Sequence, residues 1–94
     1  MIYVIARAEV APEKYRDYLD ELMKIVPDVR AEKGCVGYEP CADILEDEKF
    51  VTIIEMWESE ADWRAHMTTE HMARFKAAVG AWRVGNTVYA VKPL

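Results

Sequence analysis

The sequence predicts a single domain of the α+β class, residues 1–94, with the element order βαββαβ. Two stretches, residues 2–10 and 49–57, are rich in β-branched and aromatic residues, as is typical of strands. Apolar residues from Tyr15 to Val29 recur instead at the spacing of one helix face. Right-handed connections then place both helical layers on the same face of a four-stranded antiparallel sheet.

The first helix and the second strand follow from local signals. Pro12 suits the first turn of a helix, which the apolar spacing extends for about 20 residues. Pro27 removes an amide donor from this helix, so a kink or a break is expected there. Gly34 is placed to end the helical region. An extended segment follows from Cys35 to Ala42, and Pro40 within it predicts a strand at the edge of the sheet.

The second half of the chain contains a broken helix. Ser59 is placed to cap a short helix that ends near Met67. The pair Thr68-Thr69 is placed to cap a second helix, which ends near Val79. A last strand is predicted from Thr87 to Lys92.

The central strands are apolar on both of their faces. Helices cover only one face of such a sheet, and a bare apolar face marks an interaction surface. The economical partner is an identical sheet, so a homodimer is predicted. Arg7 and Glu55 interrupt the two central strands, and an ion pair between them is expected at this interface.

Composition argues against several partners. A net charge of -5, with the basic residues scattered, would repel a phosphate backbone, so nucleic acid is not an expected partner. No apolar run approaches the roughly 20 residues that span a bilayer, so a cytoplasmic protein without a membrane segment is expected. Cys35 and Cys41 lie on one strand about 20 Å apart, too far for a disulfide, and match no zinc pattern. Two reduced structural thiols are expected.

Candidate functional side chains cluster late in the chain. His66 could be a general base or a hydrogen-bond donor, because imidazole titrates near neutral pH, or it could simply pack between helix and sheet. His71, five residues on, would point elsewhere on a continuous helix, which argues against a shared metal ion. Tyr38 could donate to a substrate carbonyl or leave its hydroxyl at the rim. Side chains that could stack on a flat ring or fill the core are Trp57, Trp63 and Trp82.

Three stretches together carry a family resemblance. They are the first strand with Pro12-Glu13-Lys14, the segment Gly34 to Glu39, and Glu55-Met56-Trp57 followed by His66, His71 and Phe75. The pattern resembles the antibiotic biosynthesis monooxygenase (ABM) domain family over nearly the whole chain. The resemblance implies a ferredoxin-like dimer, a dimeric α/β barrel in which each subunit has a small apolar pocket between sheet and helices.

The resemblance also implies a reaction. Enzymes of this kind oxidise phenols, anthrones or quinols with O2 and use no metal, flavin or other cofactor, because the deprotonated substrate itself reduces oxygen. His66 would then be the base or oxyanion partner, with His71 as substitute and Tyr38 as a second donor. The implied aromatic walls are Trp57, Trp63 and Phe75. Haem-degrading members carry an asparagine on the first strand, where this chain has Ala6 and Arg7, so haem degradation is disfavoured.

Two other functions stay open. A non-oxidative isomerase of a small polar metabolite would be favoured by a pocket lined with arginine and histidine rather than tryptophan. A non-catalytic dimeric ligand-binding or stress-response module would be favoured by a fully packed His66 beside a cavity of only a few waters. A cavity of roughly 300 Å³ or more would favour an enzyme.

Overall fold

The computed structural model describes residues 1–94 and confirms the order βαββαβ. Its elements are β1 (Ile2–Val10), α1 (Tyr15–Arg30), β2 (Cys35–Ala42), β3 (Phe50–Trp57), α2 (Glu60–His66), α3 (Glu70–Val79) and β4 (Arg83–Val91). The strands form one antiparallel sheet in the order β2-β3-β1-β4, so the strand that contains Pro40 lies at an edge, as predicted. The fold is ferredoxin-like.

Strand register determines which side chains share a face of the sheet. Val4 of β1 lies opposite Glu55 of β3 and Ala90 of β4, while Ala6 lies opposite Ile53 and Val88. Residues directly opposite each other point to the same face. The face with Val4 is covered by the helices and contributes most of the strand residues of the core.

The local helix signals are mostly confirmed. Ser59 accepts a hydrogen bond from the backbone amide of Asp62 at the start of α2, and Thr69 accepts one from Met72 in the first turn of α3. Of the kink or break predicted at Pro27, the break does not occur, since α1 continues through Pro27 to Arg30. The last strand begins at Arg83, four residues earlier than predicted, because β4 pairs with β1 as far as Val10.

The predicted ion pair between Arg7 and Glu55 is wrong. Arg7 lies opposite Thr52, on the face away from the helices, where its guanidinium is 3.2 Å from the carboxylate of Asp43. Glu55 lies on the helix-covered face, not at the expected dimer surface, and Trp57 lies on the same covered face. Odd or even numbering alone could not relate the two strands, because their register sets which residues face the same way.

The face of the sheet away from the helices is bare and apolar. Ile5 and Ile54 are directly opposite each other at its centre and are 47% and 50% exposed. Other exposed apolar side chains on this face are Tyr3, Tyr89 and Val91. An uncovered apolar sheet face of this kind marks an interaction surface. Separately, none of the helices has the length and apolar character needed to cross a membrane.

Replacement of Gly34 is expected to destabilise the protein by about 1–3 kcal/mol. Gly34 has φ +81°, and a Cβ there would press on the side chain of Asp62, which hydrogen-bonds the cap of α2. Urea denaturation of Gly34→Ala measures the effect. Gly80→Ala is the matched control, since Gly80 has φ -54° and open space around it. Equal stability of the two variants would contradict this reasoning.

Candidate functional site

A cavity of about 80 Å³ lies between the helix-covered face of the sheet and the helices. Its wall includes four of the predicted site residues, Tyr38, Trp63, His66 and Phe75. A larger depression of about 360 Å³ lies between the first half of α2 and the end of β4, but no histidine, tyrosine or cysteine lines it. The charged side chains beside this depression, Glu60, Arg64 and Lys92, are exposed. We therefore assign the candidate site to the smaller cavity, whose wall contains the buried titratable side chains Glu55 and His66.

The floor of the cavity is formed by neighbouring strands. Ala6 and Ala8 of β1 contribute small side chains, and Ile53 and Val88 flank Ala6 on either side. Because an alanine side chain ends at Cβ, the central strand leaves space that larger side chains would fill. The middle of the floor is therefore apolar, and the polar side chains of the cavity lie towards its two ends.

Glu55 is the buried carboxyl group of the cavity wall and is only 4% exposed. Its Oε1 accepts a hydrogen bond of 2.9 Å from Nε1 of Trp57. Burial raises the pKa of Glu55 to about 7, the Trp57 hydrogen bond opposes this rise, and the charge of Glu32 adds to it. Glu55 can therefore exchange a proton near neutral pH.

His66 ends α2 and is 2% exposed. Its ring lies 4.7 Å from the Trp57 ring, centroid to centroid, and its Nδ1 is 3.0 Å from a carboxylate oxygen of Glu32. Burial lowers the pKa of His66, although Glu32 opposes this, so the neutral imidazole is favoured at neutral pH. The Glu32 contact assigns the proton to Nδ1. The lone pair is then on Nε2, which is 4.0 Å from Oε1 of Glu55.

His71 shares the carboxylate of Glu32 with His66. Its Nε2 is 2.6 Å from Oε2 of Glu32. The break between α2 and α3 turns both histidines towards this carboxylate, which a continuous helix would not do. No group of three or more histidine, cysteine, aspartate or glutamate side chains stands in an arrangement that could hold a metal ion. His71 does not line the cavity.

Glu32 and Glu55 were not among the predicted site residues. Glu32 lies in the turn after α1, 34 residues before His66, and nothing local marks it. Glu55 did have a signal, since a charged residue in an apolar central strand is unusual. The predicted partner of Glu55, Arg7, was wrong, because the two side chains lie on opposite faces of the sheet.

The remaining predicted residues differ in their access to the cavity. Tyr38 is buried and its ring makes an edge-type contact with the His66 ring, with the centroids 5.7 Å apart. Burial raises the pKa of its hydroxyl, which therefore stays protonated as a donor. Trp63 and Phe75 line the cavity. Trp57 does not line it, but lies behind Glu55 and His66 and contacts both.

The other end of the cavity is basic. Arg83 lines it, with its guanidinium carbon 5.9 Å from the Tyr18 ring and 5.6 Å from the Phe75 ring. Lys76 and Asn86 also line the cavity. Glu55 of β3 is level with Val4 of β1, whereas Arg83 of β4 is level with Val10 at the other end of β1. The acidic and basic groups therefore lie at opposite ends of the cavity.

The comparison with known proteins identifies the fold and the family. The family model described as "Antibiotic biosynthesis monooxygenase" matches residues 1–78. The chain belongs to this family. Among named relatives, "Probable quinol monooxygenase YgiN" of Escherichia coli K12 is 38% identical over 88 residues, which cover 84% of this chain and 85% of the relative.

Solved structures of the ABM fold agree closely with this chain. A structure described as "Crystal structure of antibiotic biosynthesis monooxygenase" has a TM-score of 0.92 at 27% identity and covers 100% of this chain and 99% of its own. PA3566 from Pseudomonas aeruginosa has a TM-score of 0.90 at 29% identity, with 99% and 93% covered. The four-stranded sheet with helices on one face is therefore the ABM architecture.

The cavity matches neither the pocket volume expected of an enzyme nor the lining expected of an isomerase. At about 80 Å³ it is smaller than the roughly 300 Å³ expected of an enzyme pocket and holds only a few waters. Its wall contains arginine and histidine, as an isomerase pocket would, but also Trp63. Two methionines, Met67 and Met72, line it as well, and methionine side chains repack easily around a ligand.

Proposed function

We propose that this chain is a cofactor-independent monooxygenase that oxidises a small aromatic hydroxy or quinol-type compound with O2. Membership of a monooxygenase family and the name of the Escherichia coli relative support this substrate class. The observation that carries the proposal is the Glu55 carboxyl, buried in the cavity wall with its pKa near 7 and His66 beside it. This is a proton acceptor in a mostly apolar, partly aromatic site.

In the proposed reaction, ionised Glu55 accepts the proton of the substrate hydroxyl. The resulting oxyanion is electron-rich, and the protonated hydroxyl of Tyr38 can donate a hydrogen bond to it. Trp63 and Phe75 provide apolar walls that keep water from competing for the anion. Each of these groups acts on the substrate, so no redox group of the protein is required.

The electrons for the reaction come from the substrate. A quinol and one O2 molecule give a hydroxyquinone and water. One oxygen atom forms a bond to a ring carbon, the other leaves as water, and the four electrons needed are supplied by the quinol. The protein binds the quinol, removes a proton and excludes solvent.

Protons can leave the cavity through the two histidine contacts. The Glu55 Oε1 to His66 Nε2 distance of 4.0 Å is too long for a direct hydrogen bond, so a small movement or a bridging water completes this step. Nδ1 of His66 already contacts Glu32, which also contacts His71. We therefore propose His66 as the residue that passes the proton on, with His71 and Glu32 as its positioning partners.

Oxygen uptake tests the proposal. Purified, metal-free protein is expected to consume O2 over a panel of quinols and anthrones, and His66→Ala is expected to lose this activity by about 10²-fold. His66→Asn keeps an amide where Nδ1 contacts Glu32 and should lose activity without losing the fold. Met23→Ala, at an exposed position of α1, is the control. Unchanged uptake in both His66 variants would contradict the proposed role.

The cavity volume favours a second candidate, a non-catalytic ligand-binding module. A space of about 80 Å³ beside a fully buried His66 is what that function predicts. The same experiment separates the two candidates. Saturable binding of a quinol without oxygen uptake favours the binding module, whereas stoichiometric consumption of O2 favours the monooxygenase.

We also propose that residues 1–94 form one ABM-type domain that functions as a homodimer. β4 lies beyond the matched residues 1–78 and yet pairs along β1, which supports a single unit. The bare apolar face around Ile5 and Ile54 supports a second, identical sheet as its partner. Two such faces packed together form the closed barrel that the family resemblance implies.

A further inference from the structure

The two ends of the cavity carry polar groups of opposite charge. At the level of Val4 it presents the Glu55 carboxyl. At the level of Ala8 it presents Asn86, and at the level of Val10 it presents Arg83. The floor between them is apolar, with Ala6, Ile53 and Val88 side by side. A ligand that fills this cavity therefore contacts an acidic group at one end and a basic group at the other.

Arg83 is not neutralised by the protein. It forms no ion pair within 4.0 Å, although most other arginines of the chain do, and its Nε is buried without a hydrogen-bond partner. This Nε is the only buried side-chain nitrogen or oxygen atom of the chain that lacks a hydrogen-bond partner. A buried donor without a partner is costly and rare in native structures.

Packing against aromatic rings explains only part of this arrangement. The rings of Tyr18 and Phe75 lie within 6 Å of the guanidinium and stabilise its charge. Burial raises the pKa of the Tyr18 hydroxyl and the neighbouring Arg83 guanidinium opposes this rise, so one polar group does lie beside Arg83. The Nε–H of Arg83 nevertheless has no hydrogen-bond partner. A carboxylate would satisfy it and can form two parallel hydrogen bonds with a guanidinium. Lys76, also without an ion pair, adds positive charge to the cavity wall.

We propose that Arg83, with Asn86 and Lys76, forms a subsite for the carboxylate of a small aromatic hydroxy acid whose hydroxyl reaches the opposite end, beside Glu55. The proposal names the substrate class of the monooxygenase site and rests on that site being the one used. It also gives the ligand one orientation. A carboxylate placed beside Glu55 would be repelled, whereas at Arg83 it is attracted, so the hydroxyl is directed to the base.

Binding of two isosteric probes tests the subsite. 4-Hydroxybenzoate and 4-hydroxybenzamide differ in charge but hardly in size, and isothermal titration calorimetry on the purified chain gives both dissociation constants. The benzoate is expected to bind at least about tenfold more tightly. Arg83→Met should remove this preference and leave the affinity for the benzamide within about twofold, because only the hydrogen bonds of a charged group are lost.

Two further variants keep the test decisive. Arg74→Met makes the same change of charge at an exposed position of α3 outside the cavity and should keep the preference. Arg83→Lys keeps the charge without the planar donor set and should keep part of the preference. Salt should weaken the binding of the benzoate more than that of the benzamide.

The contrary results are equally specific. Equal affinities of the two probes in the unchanged protein would overturn the subsite, as would no saturable benzoate binding at millimolar concentration. A preference that survives in Arg83→Met would do the same. Neither probe has to be oxidised, so failure here leaves the oxygen-uptake test intact. Conversely, a protein that prefers the benzoate but consumes no O2 with any quinol would retain the subsite and lose the monooxygenase function.

Discussion

Glu55→Gln is expected to lower the rate of oxygen uptake by about 10²–10⁴-fold while making the protein more stable above pH 7. Glutamine cannot accept the substrate proton, so the chemical step loses its base. Its side-chain oxygen can still accept the hydrogen bond from Trp57 Nε1, so the packing around the site is kept. Loss of activity and gain of stability from one substitution distinguish a buried base from a structural carboxyl group.

The sign of the stability change follows from the direction of the pKa shift. The pKa of Glu55 is about 7 in the folded protein and 4.5 as the ordinary value. Between these values the folded state binds more protons than the unfolded state, so stability falls as pH rises from about 4.5 to 7. The total fall is about 3 kcal/mol. Glu55→Gln does not undergo this loss and is therefore expected to be more stable than the unchanged protein above pH 7.

Denaturation with urea between pH 4.5 and 8 measures this effect. In the unchanged protein, ionisation of Glu55 should lower the free energy of unfolding as the pH rises through this range. Glu55→Gln should remove this contribution to the pH dependence. Glu58→Gln, at an exposed position just after β3, is the matched control and should change neither stability nor oxygen uptake. Identical pH profiles of stability for Glu55→Gln and the unchanged protein would show that burial does not raise the pKa of Glu55.

Ile54→Lys is expected to convert the proposed homodimer into monomers. Ile54 lies opposite Ile5 at the centre of the bare sheet face, where a partner sheet would bury the new ammonium group without a counter-charge. Burial of an unpaired charge costs several kcal/mol, so the dimer dissociation constant should rise by about 10³-fold or more. Sedimentation equilibrium over a range of concentrations measures it.

Met23→Lys is the control for this prediction, because Met23 is equally exposed but lies on the outer surface of α1. It should leave the dimer intact. A monomeric unchanged protein at micromolar concentration would contradict the proposal, and so would equal dissociation of both variants. Oxygen uptake by the Ile54→Lys monomer would further indicate that the cavity works without its partner.

The parts of the fold that could be predicted are those with local causes. The caps at Ser59 and Thr69 and the edge position of Pro40 depend on residues within a few positions of one another. The candidate site depends on contacts between distant segments. Glu32 meets His66 only after the chain has folded back, and Glu55 faces the helices rather than Arg7 because of strand register.

His71 illustrates the difference between spacing and geometry. Five residues on a continuous helix separate two side chains by about 140°, and that argument is sound for an unbroken helix. The two threonines between the histidines end one helix and begin another, so the angle no longer applies. The two threonines predict the break, but no local signal marks Glu32, whose carboxylate the realigned histidines share.

Ala6 and Ala8 give the site a further property. The groups proposed to act on protons and charge, Glu55 and Arg83, belong to β3 and β4, whereas the alanines that leave room for a ligand belong to β1. The volume available and the proposed chemistry are thus set by residues on separate strands. A substitution at Ala6 or Ala8 can therefore change the size of the molecule that fits the cavity without altering Glu55 or Arg83.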